Sequence, residues 1–282
     1  MQSKWARIFV WLGIMAVLTL LAMGLWLVLF GGSQSTSSLK WLQFMQTVGT
    51  FLVPPVVCAW LWDTARKPQS WLKLDKRTDL NLFVLAIVIM LCALPAINLL
   101  VDLNGRVKLP ESLASIEQFL KQQEEAAAQL TERFLQTDNV GGLLVNIALM
   151  ALLPALAEEF SFRGTLQQIL SNNHIAIWIT AILFSAIHMQ FYGFIPRMLM
   201  GAMFGYIFVW SGSLWLPVVM HFTNNAVAVI TYYLTSGSND PASDSKNIAD
   251  TFGAGDTWWV GVLSLLITSL GLLIFYRRTH TR

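Results

Sequence analysis

Eight runs of apolar residues make up most of this chain of 282 residues, and they constrain its fold more than any other feature. The runs lie near residues 8–30, 41–62, 80–101, 140–157, 175–195, 197–211, 214–235 and 258–276. Most of them reach or approach the roughly 20 residues that a helix needs to cross a bilayer. Composition agrees, since 55% of the residues are hydrophobic and only 12% are charged, about half the charged fraction of soluble domains. We therefore predict an all-α fold, a polytopic membrane bundle of about eight transmembrane helices that forms one integral domain over residues 1–282.

Basic side chains are concentrated on one side of this predicted bundle. With eight spans, the N-terminal segment, the loop between the second and third spans and the C-terminal segment share one side, and they carry Lys4, Arg7, Arg66, Lys67, Lys73, Lys76, Arg77, Arg277, Arg278 and Arg282. The positive-inside rule places such segments in the cytoplasm. We predict a multi-pass protein of the cell (inner) membrane with both termini cytoplasmic, and we find no basic patch that argues for nucleic acid as a partner.

Residues 104–138 form the longest segment between spans that has a regular pattern. Apolar side chains such as Leu113, Ile116 and Phe119 recur at helical spacing opposite Glu and Lys. This pattern predicts an amphipathic helix on the non-cytoplasmic side, most simply a helix packed on the surface.

The fourth run ends in an unusual group of charges, because Glu158, Glu159 and Arg163 follow a stretch from 139 to 157 that carries none. A charged side chain at the centre of a membrane helix costs about 2.5–3.5 kcal/mol on insertion scales, so such residues usually face a protein interior or a water-filled cavity. Glu159 and Arg163 are four residues apart and are predicted to pair on one helical face. Glu158 is rotated about 100° from Glu159 and needs partners from other helices.

Two histidines inside later runs are the candidates for those partners. His188 closes the sequence FSAIH with Phe184 one helical turn before it, and His221 opens the sequence HFTNN with Asn225 one turn after it. If the fourth and fifth helices form a hairpin that turns near Asn172 and Asn173, positions 158 and 188 lie at the same depth. The pattern therefore predicts that His188 lies at the level of Glu158 inside the bundle.

The motifs Glu-Glu-x-x-x-Arg at 158–163, Phe-x-x-x-His at 184–188 and His-x-x-x-Asn at 221–225 resemble, in this order, the CAAX-protease and bacteriocin-processing (Abi) family of intramembrane peptidases. The similar core extends over residues 140–235. The resemblance implies that Glu158 is the general base that activates water, and that His188 helps to hold that water. It also implies that His221 and Asn225 stabilise the oxyanion, while Glu159, Arg163 and Phe184 support the site.

The sequence leaves the use of a metal open. Two histidines and a carboxylate are a plausible zinc set with one open position, in which case Glu158, His188 and His221 would be the ligands. The family has been described both as metalloproteases and as metal-independent glutamate peptidases. The chain lacks the His-Glu-x-x-His helix of soluble zinc enzymes, which favours a glutamate mechanism with no certain cofactor.

Three functions are compatible with such a bundle. The first is an endopeptidase that cleaves a peptide or a membrane protein near a hydrophobic or lipid-modified end within the bilayer. The second is a catalytically silent scaffold or bacteriocin-immunity protein, although the presence of every motif residue favours the enzyme. The third, an ion-coupled transporter, is disfavoured because the sequence shows no inverted repeat. Prenylated substrates are typical of eukaryotic members and are not predicted from this sequence.

Overall fold

The computed structural model describes residues 3–236 and 252–280, and these residues are mostly helical with no β-strand. The main helices are α1 (Lys4–Phe30), α2 (Thr36–Trp62), α3 (Leu80–Gly105), α4 (Ala114–Leu135), α5 (Val140–Gln167), α6 (His174–Ala186), α7 (Phe194–Ser211), α8 (Trp215–Ser236) and α9 (Trp258–His280). This architecture confirms the predicted all-α membrane bundle. The basic residue Arg282, used in the orientation argument, lies outside the described residues.

Six segments of the described chain are long and apolar enough to cross a membrane, namely α1, α2, α3, α5, α9 and the segment Phe191–Ser211 that contains α7. The other two predicted spans are helices as well. Helix α6 is apolar but has 13 residues, and α8 has 22 residues that include several polar side chains. The prediction of a polytopic bundle is therefore confirmed. Of its eight predicted spans, however, α6 is too short and α8 too polar to count as an independent span.

The fifth predicted span, 175–195, is not one continuous helix. Helix α6 ends at Ala186 and is followed by a turn and by a short 3₁₀ helix at Phe191–Gly193. At 1.5 Å per residue, α6 extends over only about 20 Å, which is less than the roughly 30 Å of the hydrocarbon core. The segment 187–193, called the His188 turn below, therefore lies at the end of a helix that is too short to cross the bilayer alone.

Helix packing brings the site helices together. Helix α8 packs against α3 and α5, α6 packs against α7, and α3 packs against α9. One apolar cluster between α3, α7, α8 and α9 includes Met90, Phe204, Met220 and Phe275, all fully buried. This cluster fixes α7 and α8 relative to α3 and α9, because fully buried side chains at native density leave little room for movement.

Helices α2 and α5 contain wider π-helical turns at Thr47–Leu52, Ile147–Leu152 and Phe162–Gln167. A π turn inserts one residue into an α-helix and changes the direction of the side chains that follow, and it often occurs at functional sites. Two of the three turns flank the α-helical segment Leu153–Ser161, which carries Glu158 and Glu159.

Helix α4 is the amphipathic helix that was predicted within 104–138. Its C-terminal residues Phe134 and Leu135 are buried, whereas Ile116 and Phe119 are exposed. The helix therefore buries its C-terminal end in the bundle, while its N-terminal half carries an exposed apolar face.

Candidate active site

Glu159 and Arg163 form the buried base of the site. Arg163 Nη1 lies 2.7 Å from Glu159 Oε1, and neither side chain is exposed. The guanidinium also donates from Nη2 to the carbonyl of Gly201 at 2.8 Å and lies over the rings of Phe184 and Phe204. The structure thus contains the ion pair that the i, i+4 spacing predicts, at a depth where loss of either charge would leave the other unpaired.

His221 is joined to this pair, a connection that the sequence motifs did not indicate. Its Nδ1 lies 2.9 Å from Glu159 Oε1, and its ring stacks on Phe204 and meets Phe184 edge-on. A carboxylate that is paired with arginine accepts hydrogen bonds only. Nδ1 of His221 is therefore the protonated nitrogen, and in the neutral ring Nε2 carries a lone pair.

His188 is oriented in the same way by a different acceptor. Its Nδ1 lies 2.8 Å from the carbonyl oxygen of Phe184, and the Phe184 ring packs edge-on against the imidazole. A carbonyl accepts a hydrogen bond, so Nδ1 donates and Nε2 of the neutral ring again carries the lone pair.

Glu158 faces both of these Nε2 atoms. Its Oε2 lies 4.0 Å from His188 Nε2 and 4.0 Å from His221 Nε2, and it has no hydrogen-bond partner among the described residues. Exposed side-chain fractions rise from 0% for Glu159 and 5% for His221 to 16% for Glu158 and 28% for His188. Exposure within the group therefore increases from Glu159 towards His188.

These separations can be bridged by one water, and they are longer than those between two ligands of a bound zinc. Two atoms that each hydrogen-bond one water at about 2.8 Å can lie 4.0 Å apart. Two ligands of a tetrahedral zinc, each about 2.0–2.2 Å from the ion, lie only about 3.3–3.6 Å apart. Across residues 3–236 and 252–280, no group of three His, Cys, Asp or Glu side chains is placed to hold a metal ion. The role of Glu158, His188 and His221 as ligands of a metal stays a prediction.

Asn225 lies one turn beyond His221 on α8. Its side-chain oxygen lies 3.1 Å from Asn224 Nδ2, and no hydrogen bond within the described part of the chain joins it to Glu158, His188 or His221. Its predicted role at the oxyanion stays a prediction.

The His188 turn and the residues that follow it are held by polar groups from four helices. Asn104 of α3 donates to the carbonyl of Phe191 at 2.9 Å and accepts from the amide of Ile195 at 3.2 Å. Ser185 at the end of α6 donates to the carbonyl of Phe194 at 2.7 Å. Irregular backbone at membrane depth requires such partners, because lipid offers none.

Arg197 of α7 and Glu124 of α4 complete the support of this turn. Arg197 donates to the side chain of Gln190 at 2.7 Å, and Glu124 accepts from the amide of Tyr192 at 3.2 Å. Sequence reasoning missed Asn104, Arg197 and Glu124, because isolated polar residues outside the three motifs gave no signal that they meet.

The glycines of the GAMFG sequence in α7 also contribute to the site. The carbonyl of Gly201 accepts from Arg163 and that of Gly205 accepts from Gln167. A Cβ atom at Gly201 would come within 3.2 Å of Arg163 and of Phe184. Close helix packing is thus combined with direct hydrogen bonding to the motif helix.

The fold and the site together define a polytopic α-helical membrane protein that directs one carboxylate and two imidazoles to a common point inside its bundle. Residues 140–227 match the family model described as type II CAAX prenyl endopeptidase Rce1-like. This match confirms the resemblance that the three motifs indicate, and it covers under one third of the chain's length.

A relative found among curated proteins is "Uncharacterized protein YpbD" of Bacillus subtilis (strain 168), which is 34% identical over 86 residues. That alignment covers 29% of this chain and 43% of the relative, so the chain spans less than half of the relative's length. No solved structure matches the chain.

Proposed function

We propose that this protein is an intramembrane endopeptidase that hydrolyses peptide bonds of membrane-associated substrates with Glu158 as the general base. The observation that carries the proposal is the position of Glu158 Oε2, at 4.0 Å from both imidazole Nε2 atoms and without another polar partner in the described chain. The match to the endopeptidase family over residues 140–227 supports the same class of reaction.

The tautomers of the two histidines determine how water binds. Since both Nδ1 atoms donate to fixed acceptors, both Nε2 atoms accept. A water between these groups donates one hydrogen to Glu158 and the other to His188. Its oxygen lone pair is then free to attack a carbonyl carbon, which is the orientation that general-base catalysis requires.

The proton moves in two steps in this proposal. Glu158 removes one proton from the water as its oxygen adds to the carbonyl, and the tetrahedral intermediate carries the negative charge on the former carbonyl oxygen. Glu158 then gives the same proton to the leaving amine as the C–N bond breaks. No metal and no covalent enzyme intermediate takes part in this sequence.

The oxyanion requires donors on the opposite side of the carbonyl. The Asn225 amide donates in its ordinary state, whereas His221 donates from Nε2 only when its ring carries a second proton. A donor of this kind lowers the activation barrier by roughly 2.7–4 kcal/mol in other hydrolases. We assign the larger share to Asn225, one helical turn from His221 on α8.

Substrate reaches the site from the His188 turn, where exposure is greatest. A substrate helix satisfies its own amides, so the cleaved segment has to be extended or unwound where it meets Glu158. We propose peptides and membrane proteins with a hydrophobic or lipid-modified end as the substrate class, with bilayer lipid as the surrounding partner.

The test uses the purified protein in liposomes together with peptides derived from membrane proteins, and mass spectrometry identifies new termini. Wild-type protein is expected to cleave some of these peptides, and Glu158→Gln is expected to cleave none while it stays folded. Glu125→Gln, an exposed change on α4, is the control for loss of one carboxylate. Metal analysis of wild-type and His188→Ala protein decides between the two mechanisms, since a stoichiometric metal that is lost in the variant would contradict a metal-free reaction.

A further inference from the structure

A groove of about 430 Å³ lies between α2 and α5, away from Glu158. Its apolar lining consists of Trp41, Phe44, Val145, Ala148 and Leu149. Trp41, Phe44 and Val145 are exposed on the surface of the protein, which in a membrane faces lipid. The volume lies in the range of about 300–1,000 Å³ that is typical of small-molecule sites.

Lys40 also lines this groove, and it lies inside a membrane-spanning segment. Its Nζ donates to Asn146 Oδ1 at 2.7 Å, and Asn146 donates in turn to the carbonyl of Leu135 at 3.0 Å. An ammonium group has three donors, and the described residues place no carboxylate within ion-pair distance of this one. A charged group in a membrane segment usually has such a partner, so the ammonium is available to an anion.

A second cation lies close to the same groove. Arg133 of α4 donates to Thr36 Oγ1 at 3.0 Å and to the carbonyl of Gln34. Thr36 and Lys40 are four residues apart and share one face of α2. No carboxylate in the described chain pairs with Arg133 either. Lys40, which lines the groove, and Arg133, which binds Thr36 one turn earlier on α2, are thus two neighbouring cations without an acidic partner.

The depth of this pair matches the region of lipid headgroups. Thr36 is the first residue of α2, and Lys40 lies about 6 Å further along the helix axis. Each headgroup layer of a bilayer is roughly 5–7 Å thick. Lys40 therefore lies near the boundary of headgroups and hydrocarbon, while Phe44 and Leu149 continue the groove towards the bilayer centre.

We propose that this groove is a binding site for an anionic phospholipid of the leaflet at the Thr36 end. The phosphate lies between Lys40 and Arg133, and one acyl chain lies along the apolar lining. Cationic pockets between membrane helices recognise headgroups in this way. The proposal rests on contacts outside the Glu158 site and does not depend on the proposed peptidase activity.

The test is native mass spectrometry of the full chain in mild detergent with three probes. The first is 1-palmitoyl-2-oleoyl-phosphatidylglycerol, the second is the matching diacylglycerol, which has the chains without the phosphate, and the third is glycerol 3-phosphate, which has the phosphate without the chains. We expect one molecule of the phospholipid to bind. Each of the other probes is expected to bind at least roughly tenfold more weakly, because it lacks either the phosphate or the acyl chains that the proposed site contacts.

Matched variants assign the binding to named residues. Lys40→Gln and Arg133→Gln are each expected to weaken phosphatidylglycerol binding roughly tenfold, as expected for loss of one charge-assisted hydrogen bond. Lys40→Arg is expected to retain binding. Lys108→Gln removes a charge from the exposed 106–110 loop and is expected to bind like wild type. Ala148→Phe fills the groove without a change of charge and is expected to weaken binding.

Equal affinity for phosphatidylglycerol and diacylglycerol would overturn the proposal, as would an equal loss of binding in Lys40→Gln and Lys108→Gln. Thermal unfolding establishes that each variant is folded. If Lys40→Gln does not fold, the proposal is tested with Arg133→Gln and Ala148→Phe, which change exposed positions. Wild-type affinity for phosphatidylglycerol in both of these variants would contradict the proposed binding site.

Discussion

Replacement of Glu159 by Gln is expected to destabilise the protein far more than the same change at the neighbouring Glu158. Glu159 is fully buried and accepts from both Arg163 and His221. Gln keeps the shape and can still accept one hydrogen bond, but it removes the charge that neutralises the guanidinium. Loss of one partner of a buried pair costs about 3–5 kcal/mol, because the remaining charge is left in a medium that solvates it poorly.

Glu158→Gln is expected to have a much smaller effect on stability, because Oε2 of Glu158 has no hydrogen-bond partner among the described residues. No protein contact of that oxygen is lost in the variant, so the free energy of unfolding is expected to change by less than about 1 kcal/mol. The two adjacent carboxylates thus provide a matched pair with the same chemical change and opposite consequences.

The assay is thermal unfolding of purified wild type and variants in one detergent. A loss of 3–5 kcal/mol corresponds to a fall of roughly 6–20 °C in Tm at the scale of about 2–4 °C per kcal/mol. The double variant Glu159→Gln/Arg163→Met removes both charges and is expected to be more stable than Glu159→Gln alone. A Tm within about 2 °C of wild type for Glu159→Gln, or a double variant that is less stable than the single one, would refute the reasoning.

Three further predictions concern packing, the His188 turn and topology. Gly201→Ala is expected to lose about 1–3 kcal/mol of stability because its Cβ crowds Arg163, whereas Gly13→Ala, which meets no atom within 4 Å, keeps the Tm of wild type or raises it. Arg197→Gln is expected to lower kcat/KM roughly tenfold without loss of folded protein. Arg197→Lys is expected to restore part of this activity. Equal kcat/KM in wild type and both variants would show that Arg197 does not contribute to the site. A reporter fused at residue 70 is expected to be cytoplasmic and one inserted within 104–138 external, and the reverse result would contradict the orientation.

The bundle was predictable from the sequence because apolar length is a strong signal for membrane helices. The early end of α6 at Ala186 was not predictable from it. Residues 187–195 are largely apolar and read as a continuation of the span. The groups that hold the turn, Asn104 and Glu124, lie more than 60 residues earlier in the chain.

Within the site, local spacing predicted the Glu159–Arg163 pair, because i, i+4 geometry is fixed within one helix. The hydrogen bond from His221 to Glu159 joins residues 62 positions apart, and it depends on the packing of α8 against α5. The same limit applies to Arg197, whose hydrogen bond to Gln190 belongs to none of the three motifs.

The central claim is tested most directly by a comparison of protein termini in native cells that carry wild-type protein or Glu158→Gln at equal abundance. Our account predicts that a defined set of membrane-protein termini is present with wild type and absent with Glu158→Gln, and that Glu125→Gln leaves this set unchanged. Identical termini in the wild-type and Glu158→Gln cells would contradict peptidase activity at this site.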